Sequence, residues 1–262
     1  MDIRKEKLFF CDLDGVLVQS DGTIKIGDIE KIKEFVNDGG IFIICTGRLD
    51  QDIEYVEKKL GIKGSFRISQ NGAVIKTKDD KVIFHKKIAK DYVGVLNNIL
   101  SHHEVRTEIN DLQNRYYPSP RNPENIAEFI DTSIVKENLF DYALKNLNPT
   151  IYLNFGEEAQ FEIIKKEIQV ALGAEISIVQ TSPTSLEIFS KEASKGNAAK
   201  YISLQLNIDK ENIVAAGDAE SDITMFQYAG NSFAVGEHCD KKVIKAADYH
   251  VCGIEELLTS YI

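Results

Sequence analysis

Residues 8–15 read LFFCDLDG and residues 41–48 read IFIICTGR. Each opens as a run of large apolar side chains with no polar alternation and ends in small polar ones. A strand written that way expects cover on both faces, the habit of parallel sheets. Between the two runs, IGDIEKIKEFVNDGG (residues 26–40) places Ile29, Ile32, Phe35 and Val36 on one helical face, and Gly39 and Gly40 supply the stop. DQDIEYVEKKLG (50–61) is a second helix ended by Gly61, and SFRIS (65–69) a third strand. The C-terminal part repeats the rhythm. KGNAAKYISLQLN (195–207) reads as helix, NIVAAGD (212–218) as strand and SDITMFQYAG (221–230) as helix, with shorter alternating segments to the end. Strands alternating with helices predict an α/β core, a parallel sheet with helices on both faces.

The middle of the chain breaks the pattern. QNGAVI (70–75) carries an Asn-Gly hairpin signal, and KDDK (78–81) supplies another turn. Beyond them, VRTEI, NRYY, TIYLNF, EISIVQ and SLEIF read as short strands, and residues 90–101 and 157–172 as helices. Strands in this order predict an antiparallel sheet with helices on one face. Residues 82–188 are therefore expected to form an inserted α+β domain, and residues 1–81 and 189–262 one discontinuous core.

With 262 residues the chain has ample length to bury a core. Its 43% hydrophobic content excludes a disordered chain. Acidic residues exceed basic ones by 41 to 31, a net charge of −10. That field disfavours nucleic acid as a partner, while leaving room for a locally positive pocket. No apolar stretch approaches the ~18 residues a membrane helix needs, so no membrane partner is expected. Cys11, Cys45, Cys239 and Cys252 form no Cys-x-x-Cys pair, and two lie within apolar strands, which points to a reduced, cytoplasmic protein. Monomer and homodimer stay open.

Four short segments could carry chemistry. Asp12 and Asp14 close the first strand two residues apart, a spacing that puts both carboxylates on one side of an extended chain. An acidic turn is the plainer reading. Thr46 and Gly47 follow the second strand, offering a hydroxyl and a backbone that a ligand can approach, though taken alone such a pair is more often just a turn and helix cap. Ser194 and Lys195 open a helix, where free N–H groups and a mobile ammonium suit a phosphate; a solvated lysine beside a cap is the alternative. GDAESD (217–222) places Asp218 at a strand end, with Glu220 and Asp222 at a helix start. Asp12, Asp14 and Asp218 converging there would repel unless a cation were present, and oxygen ligands beside a phosphate suit Mg2+.

DLDGV, the threonine of CTGR, SKG and GDAESD stand in the order of the four motifs of the haloacid dehalogenase-like hydrolases. With the large insertion between the second and third motifs, the chain resembles the Cof-type sugar-phosphate phosphatases, which carry a type IIB cap. The resemblance spans residues 8 to about 252. It implies a Rossmann-like core with the cap inserted after the third strand, and Mg2+-dependent hydrolysis of a small phosphorylated metabolite, a sugar phosphate or a related ester. By the same resemblance Asp12 is the nucleophile that forms an aspartyl-phosphate, and Asp14 the acid and base. Thr46, Gly47 and Lys195 hold the phosphoryl oxygens. Asp218 binds the metal together with Asp12 and the backbone carbonyl of Asp14, and Asp222 supports it from behind. The family's usual Asn in the last motif is Ser221 here, a shorter group for reaching the phosphate. The alternatives are a phosphomutase, or a phosphoacceptor or phosphate-binding module without turnover.

Overall fold

The structure, a computed structural model, describes residues 7–121, 129–130, 133–237 and 239–262. It divides into two compact units. One runs to Ile83 and resumes at Ser194; the other is Phe84–Ala193.

The first unit is built on five parallel strands, β1 (Leu8–Cys11), β2 (Ile41–Ile44), β12 (Ile213–Gly217), β13 (Asn231–Val235) and β14 (Tyr249–Val251), in the order β14-β13-β12-β1-β2. Cys11 registers with Ala216 on one side and Ile44 on the other. Leu8, Phe9, Phe10 and Cys11 are all fully buried. Successive strand residues point to opposite faces, so both faces of β1 are covered, as the unbroken apolar run requires. The helices that alternate with these strands are α1 (Ile26–Asn37), α2 (Asp50–Leu60), α6 (Lys195–Leu206), α7 (Ile223–Tyr228), α8 (Lys241–Ala246) and α9 (Ile254–Ser260). Asp28, in the first turn of α1, accepts the backbone N–H of Glu255 at 2.8 Å and so caps α9 across 227 residues of sequence.

A small sheet of β3 (Phe66–Ser69), β4 (Val74–Thr77) and β5 (Val82–His85) follows α2. Ser69 pairs with Val74, so the expected hairpin forms, around a turn at 70–73. Gln70, Asn71 and Gly72 all have positive φ, at 53°, 55° and 87°. The left-handed region costs a non-glycine residue on the order of 1–3 kcal/mol, least for Asn. Beneath this sheet the buried Arg67 donates Nε and Nη2 to the two carboxylate oxygens of buried Asp50, at 2.8 and 3.1 Å. Glu54 and Asp80 also meet its guanidinium, and Lys76 meets Asp50. Arg67 thus ties α2 to β3.

In the second unit β6 (Arg106–Asn110), β7 (Arg115–Tyr117), β8 (Ser133–Val135), β9 (Ile151–Phe155), β10 (Ile176–Ser182) and β11 (Ser185–Ser190) form one sheet, ordered β10-β11-β9-β6-β7-β8. α3 (Lys90–Leu100), α4 (Leu139–Asn146) and α5 (Glu158–Leu172) share a core with Ile109, Tyr152, Leu186 and Ile188. Those four residues alternate along their strands, so a single face of the sheet packs on the helices. The sequence reading missed β8 and α4. β8 pairs parallel with β7, so the sheet is mixed rather than wholly antiparallel. The expected boundary at 188/189 falls inside β11, and the second compact unit continues to Ala193. Among the described residues no helix is long and apolar enough to cross a membrane, and all four cysteines are free.

Candidate active site

The site gathers where the parallel strands of the first unit end. β1 stops at Cys11, yet Asp12 still donates its N–H to Ala216 at 2.9 Å, so its position remains tied to the sheet. The chain then turns: the Leu13 carbonyl accepts from the N–H groups of Leu17 and Val18. The turn leaves the two carboxylates unequally buried. Asp12 is 5% exposed, while the Asp14 side chain is 51% exposed. Gly15 has φ +77°, and any Cβ there would lie 2.0 Å from an Asp218 carboxylate oxygen. Glycine is required both by the backbone and by the seat of Asp218 against it.

Lys195 is the first residue of α6, after Ser194, whose hydroxyl accepts from Asn197 N–H at 3.0 Å as an N-cap. Its buried ammonium lies 2.8 Å from Asp12 Oδ1 and 2.7 Å from Asp222 Oδ1. The other oxygen of Asp222 accepts the backbone N–H groups of Asp218 and Ala219, at 3.1 and 3.0 Å. The carboxylates that converge are therefore Asp12, Asp218 and Asp222, with one oxygen from each within 4.8 Å of the others. The expected trio had Asp14 in place of Asp222. The exchange has a physical cause. Asp14 sits beyond the turn, where Arg48 donates Nε to its Oδ2 at 2.8 Å and Nη2 to its Oδ1 at 2.7 Å. Asp222, expected to support the metal from behind, lies close to Asp12 and Asp218 with both of its oxygens engaged, by Lys195 and by two backbone N–H groups.

Burial raises the Asp12 carboxyl well above its ordinary range, reinforced by Asp222 and opposed by Lys195. Burial and then Asp222 push Asp218 up to about 7. Burial works against the Lys195 ammonium, but Asp12 and Asp222 overcome it and hold the group protonated well above its usual range. With all three carboxylates ionised against one ammonium, the cluster carries an excess of two negative charges. Clustered hard oxygen donors with that excess fit a divalent cation such as Mg2+.

Thr46 and Gly47 follow β2 beside this cluster, since Cys45 N–H donates to Cys11 O at 2.8 Å. The Thr46 hydroxyl accepts from Arg48 N–H at 3.2 Å, closing the loop on itself. Ser221 lies in the turn before α7, where its carbonyl accepts from the Thr224 hydroxyl. Arg48 ends the CTGR segment, and its pairing with Asp14, 34 residues away, leaves no local signal in the sequence. In the insert, Tyr116 belongs to the helix-side core of the second unit, with its hydroxyl donating to Asp111. Arg115 and Tyr117 are buried on the sheet, and Arg121 lies over the Tyr117 ring.

Residues 9–255 match the family described as haloacid dehalogenase-like hydrolase. The chain is 26% identical to the phosphatase YwpJ of Bacillus subtilis over 88% of this chain and 89% of that protein. It is 25% identical to the same organism's 5-amino-6-(5-phospho-D-ribitylamino)uracil phosphatase YcsE, over 95% of this chain and 92% of that one. A solved haloacid dehalogenase-like hydrolase from B. subtilis superposes with a TM-score of 0.85 at 24% identity, covering 98% of this chain and all of the other. The chain therefore belongs to the haloacid dehalogenase-like hydrolases and stands among their phosphatases.

Proposed function

We propose that this phosphatase hydrolyses a small phosphomonoester in two displacements, with Mg2+ as its cation. The observation that carries the reading is the buried Lys195 ammonium between Asp12 and Asp222. A lysine so placed neutralises the nucleophile's surroundings and offers a donor to an incoming phosphoryl oxygen. Mg2+, held by Asp12, Asp218, Asp222 and the Asp14 carbonyl, would supply the remaining positive charge that a phosphate dianion needs beside carboxylates.

In the first step an Asp12 carboxylate oxygen bonds to phosphorus as the P–O bond to the leaving alcohol breaks. Asp14 gives that alcohol its proton. In the second step water attacks phosphorus, Asp14 takes a proton from it, the acyl-phosphate bond breaks and inorganic phosphate leaves. Dividing the hydrolysis in this way is covalent catalysis, and a positioned acid–base contributes about 10²–10⁴-fold. Thr46, the backbone at Gly47, and Ser221 complete the phosphate's surroundings.

For the substrate we favour a sugar phosphate or a related phosphorylated polyol. Support comes from the relative YcsE, whose name specifies a phosphorylated ribityl compound. The free cysteines, two of them buried, agree with a cytoplasmic setting. The test is turnover of a panel of phosphate esters, with Mg2+ and with chelator, by wild type and Asp12→Asn. Release of inorganic phosphate that needs Mg2+ and vanishes in Asp12→Asn is expected. Transfer back to substrate with no release would indicate a mutase instead, and an active Asp12→Asn would remove the nucleophile assignment.

A further inference from the structure

The turn at residues 70–72 holds more left-handed backbone than a hairpin needs. A tight hairpin needs positive φ at two positions at most, and Asn-Gly supplies both. Here the left-handed region is also occupied by Gln70, and both Gln70 and Asn71 are buried. Such conformations persist where the surroundings dictate them, and they cluster at functional sites.

The surroundings are the two segments of the first unit that the phosphatase reading sets against the phosphate. On one side Gln70 N–H donates to the Arg48 carbonyl at 3.0 Å and Asn71 N–H to the Thr46 carbonyl at 2.9 Å. Thr46 N–H returns a bond to Ile68 at 3.0 Å. The loop 46–48 is thus laced along 68–71. The Asn71 side chain lies over Gly47: a Cβ at Gly47 would stand 3.2 Å from Asn71 Oδ1. On the other side Gly72 presses on the start of α6. A Cβ there would meet the Ser194 carbonyl oxygen at 2.2 Å and the Lys195 nitrogen at 3.1 Å.

We propose that this turn is the spacer that sets the Thr46–Gly47 loop against Lys195, with Asn71 as a positioning residue for phosphate binding. The proposal rests on the phosphatase reading and adds to it a residue outside the four motifs. Asn71 acts through Gly47 and Thr46: its side chain limits how far the loop can move, and its N–H fixes the Thr46 carbonyl. The Gly72 contact transmits the same constraint to the residue ahead of Lys195.

The test compares Asn71→Gly, which keeps the left-handed backbone and removes the side chain, with Asn71→Asp, which keeps both backbone and shape. Asn207→Gly is the control: the same change, at φ 53°, at the far end of α6. The readouts are thermal unfolding, calorimetric affinity for inorganic phosphate with Mg2+, and kcat and KM on the best ester of the panel. Misplacing a binding group by about 1 Å costs up to ~10²-fold, so Asn71→Gly is expected to lose about tenfold or more in both kcat/KM and phosphate affinity, without a matching loss of Tm. Asn71→Asp, which sets a carboxylate beside the loop, should lose more phosphate affinity than Asn71→Gly. Wild-type kinetics and phosphate affinity in Asn71→Gly, or equal losses in Asn207→Gly, would reduce the turn to a hairpin closure. A wild-type protein that neither turns over an ester nor binds phosphate would instead remove the phosphatase reading itself.

Discussion

Lys195 and Asp222, 27 residues apart, share a buried ion pair of 2.7 Å, and the same ammonium reaches Asp12 at 2.8 Å. The lysine holds two carboxylates that would otherwise face one another. Removing one member of a buried pair leaves uncompensated charge and costs about 3–5 kcal/mol. Lys195→Met is therefore expected to lower the unfolding free energy by about that amount at pH 7, in urea titrations followed by circular dichroism, and to abolish turnover.

The acidic cluster also sets a pH dependence. Asp218 has its folded-state value raised to about 7 by burial and Asp222. For a raised carboxyl, the folded form binds the proton more tightly than the unfolded chain does. Its contribution to stability is thus fully present below the ordinary Asp range and is lost as pH rises through about 7. Metal-free protein should show Tm falling across that window from this group. Added Mg2+ should raise Tm more at pH 8 than at pH 5, because the cation needs the ionised carboxylate. Equal Mg2+ shifts at both pH values would count against the cluster as the metal site.

Arg48 grips Asp14 through two parallel hydrogen bonds, at 2.8 and 2.7 Å. Lysine cannot reproduce that planar fork. With Asp14 left to wander, Arg48→Lys should lose a substantial part of the acid–base contribution, about tenfold to a hundredfold in kcat. The Asp14 side chain is half exposed, so the pair adds little to folding. Steady-state kinetics beside thermal melts would separate the two effects, and an unchanged kcat would overturn the orienting role.

Asp50 should behave in the opposite sense. It holds the buried Arg67 by a bidentate pair and also meets Lys76, remote in role from the chemistry. Asp50→Ala is expected to destabilise the fold by about 3–5 kcal/mol, measured by urea unfolding, and to leave the kcat of the folded fraction near wild type.

Ser221 offers the reverse experiment. Replacing it with Asn restores a longer donor in the last motif. Ser221→Asn should lower KM for phosphate esters about tenfold or more, what one hydrogen bond to a charged group contributes, with Tm little changed. A raised KM would show that the serine is fitted to this chain's own pocket.

The elements that declare themselves along the chain are those whose environment is uniform. β1 and β2 are buried on both faces, so every residue is apolar and the run is visible without a partner. The five strands foreseen in the second unit and its helices α3 and α5 show their periods plainly. β8, three residues long, and α4, eight residues long, are not among them. The strand-end acids, the capping Ser194 and Lys195 were legible because each occupies a marked local position.

The sequence by itself determined the alternation of strands and helices, the insertion, and the candidates Asp12, Thr46, Lys195 and Asp218, because those depend on local pattern and on order along the chain. Tertiary structure alone decided which carboxylates meet. A turn after Asp12 sends Asp14 out to Arg48, while the fold brings Asp222 in to Lys195 from 27 residues further on. Hydrogen bonds and ion pairs act over about 3 Å of space whatever the separation in sequence, so such a pairing leaves no periodic trace for a reader of the chain to find.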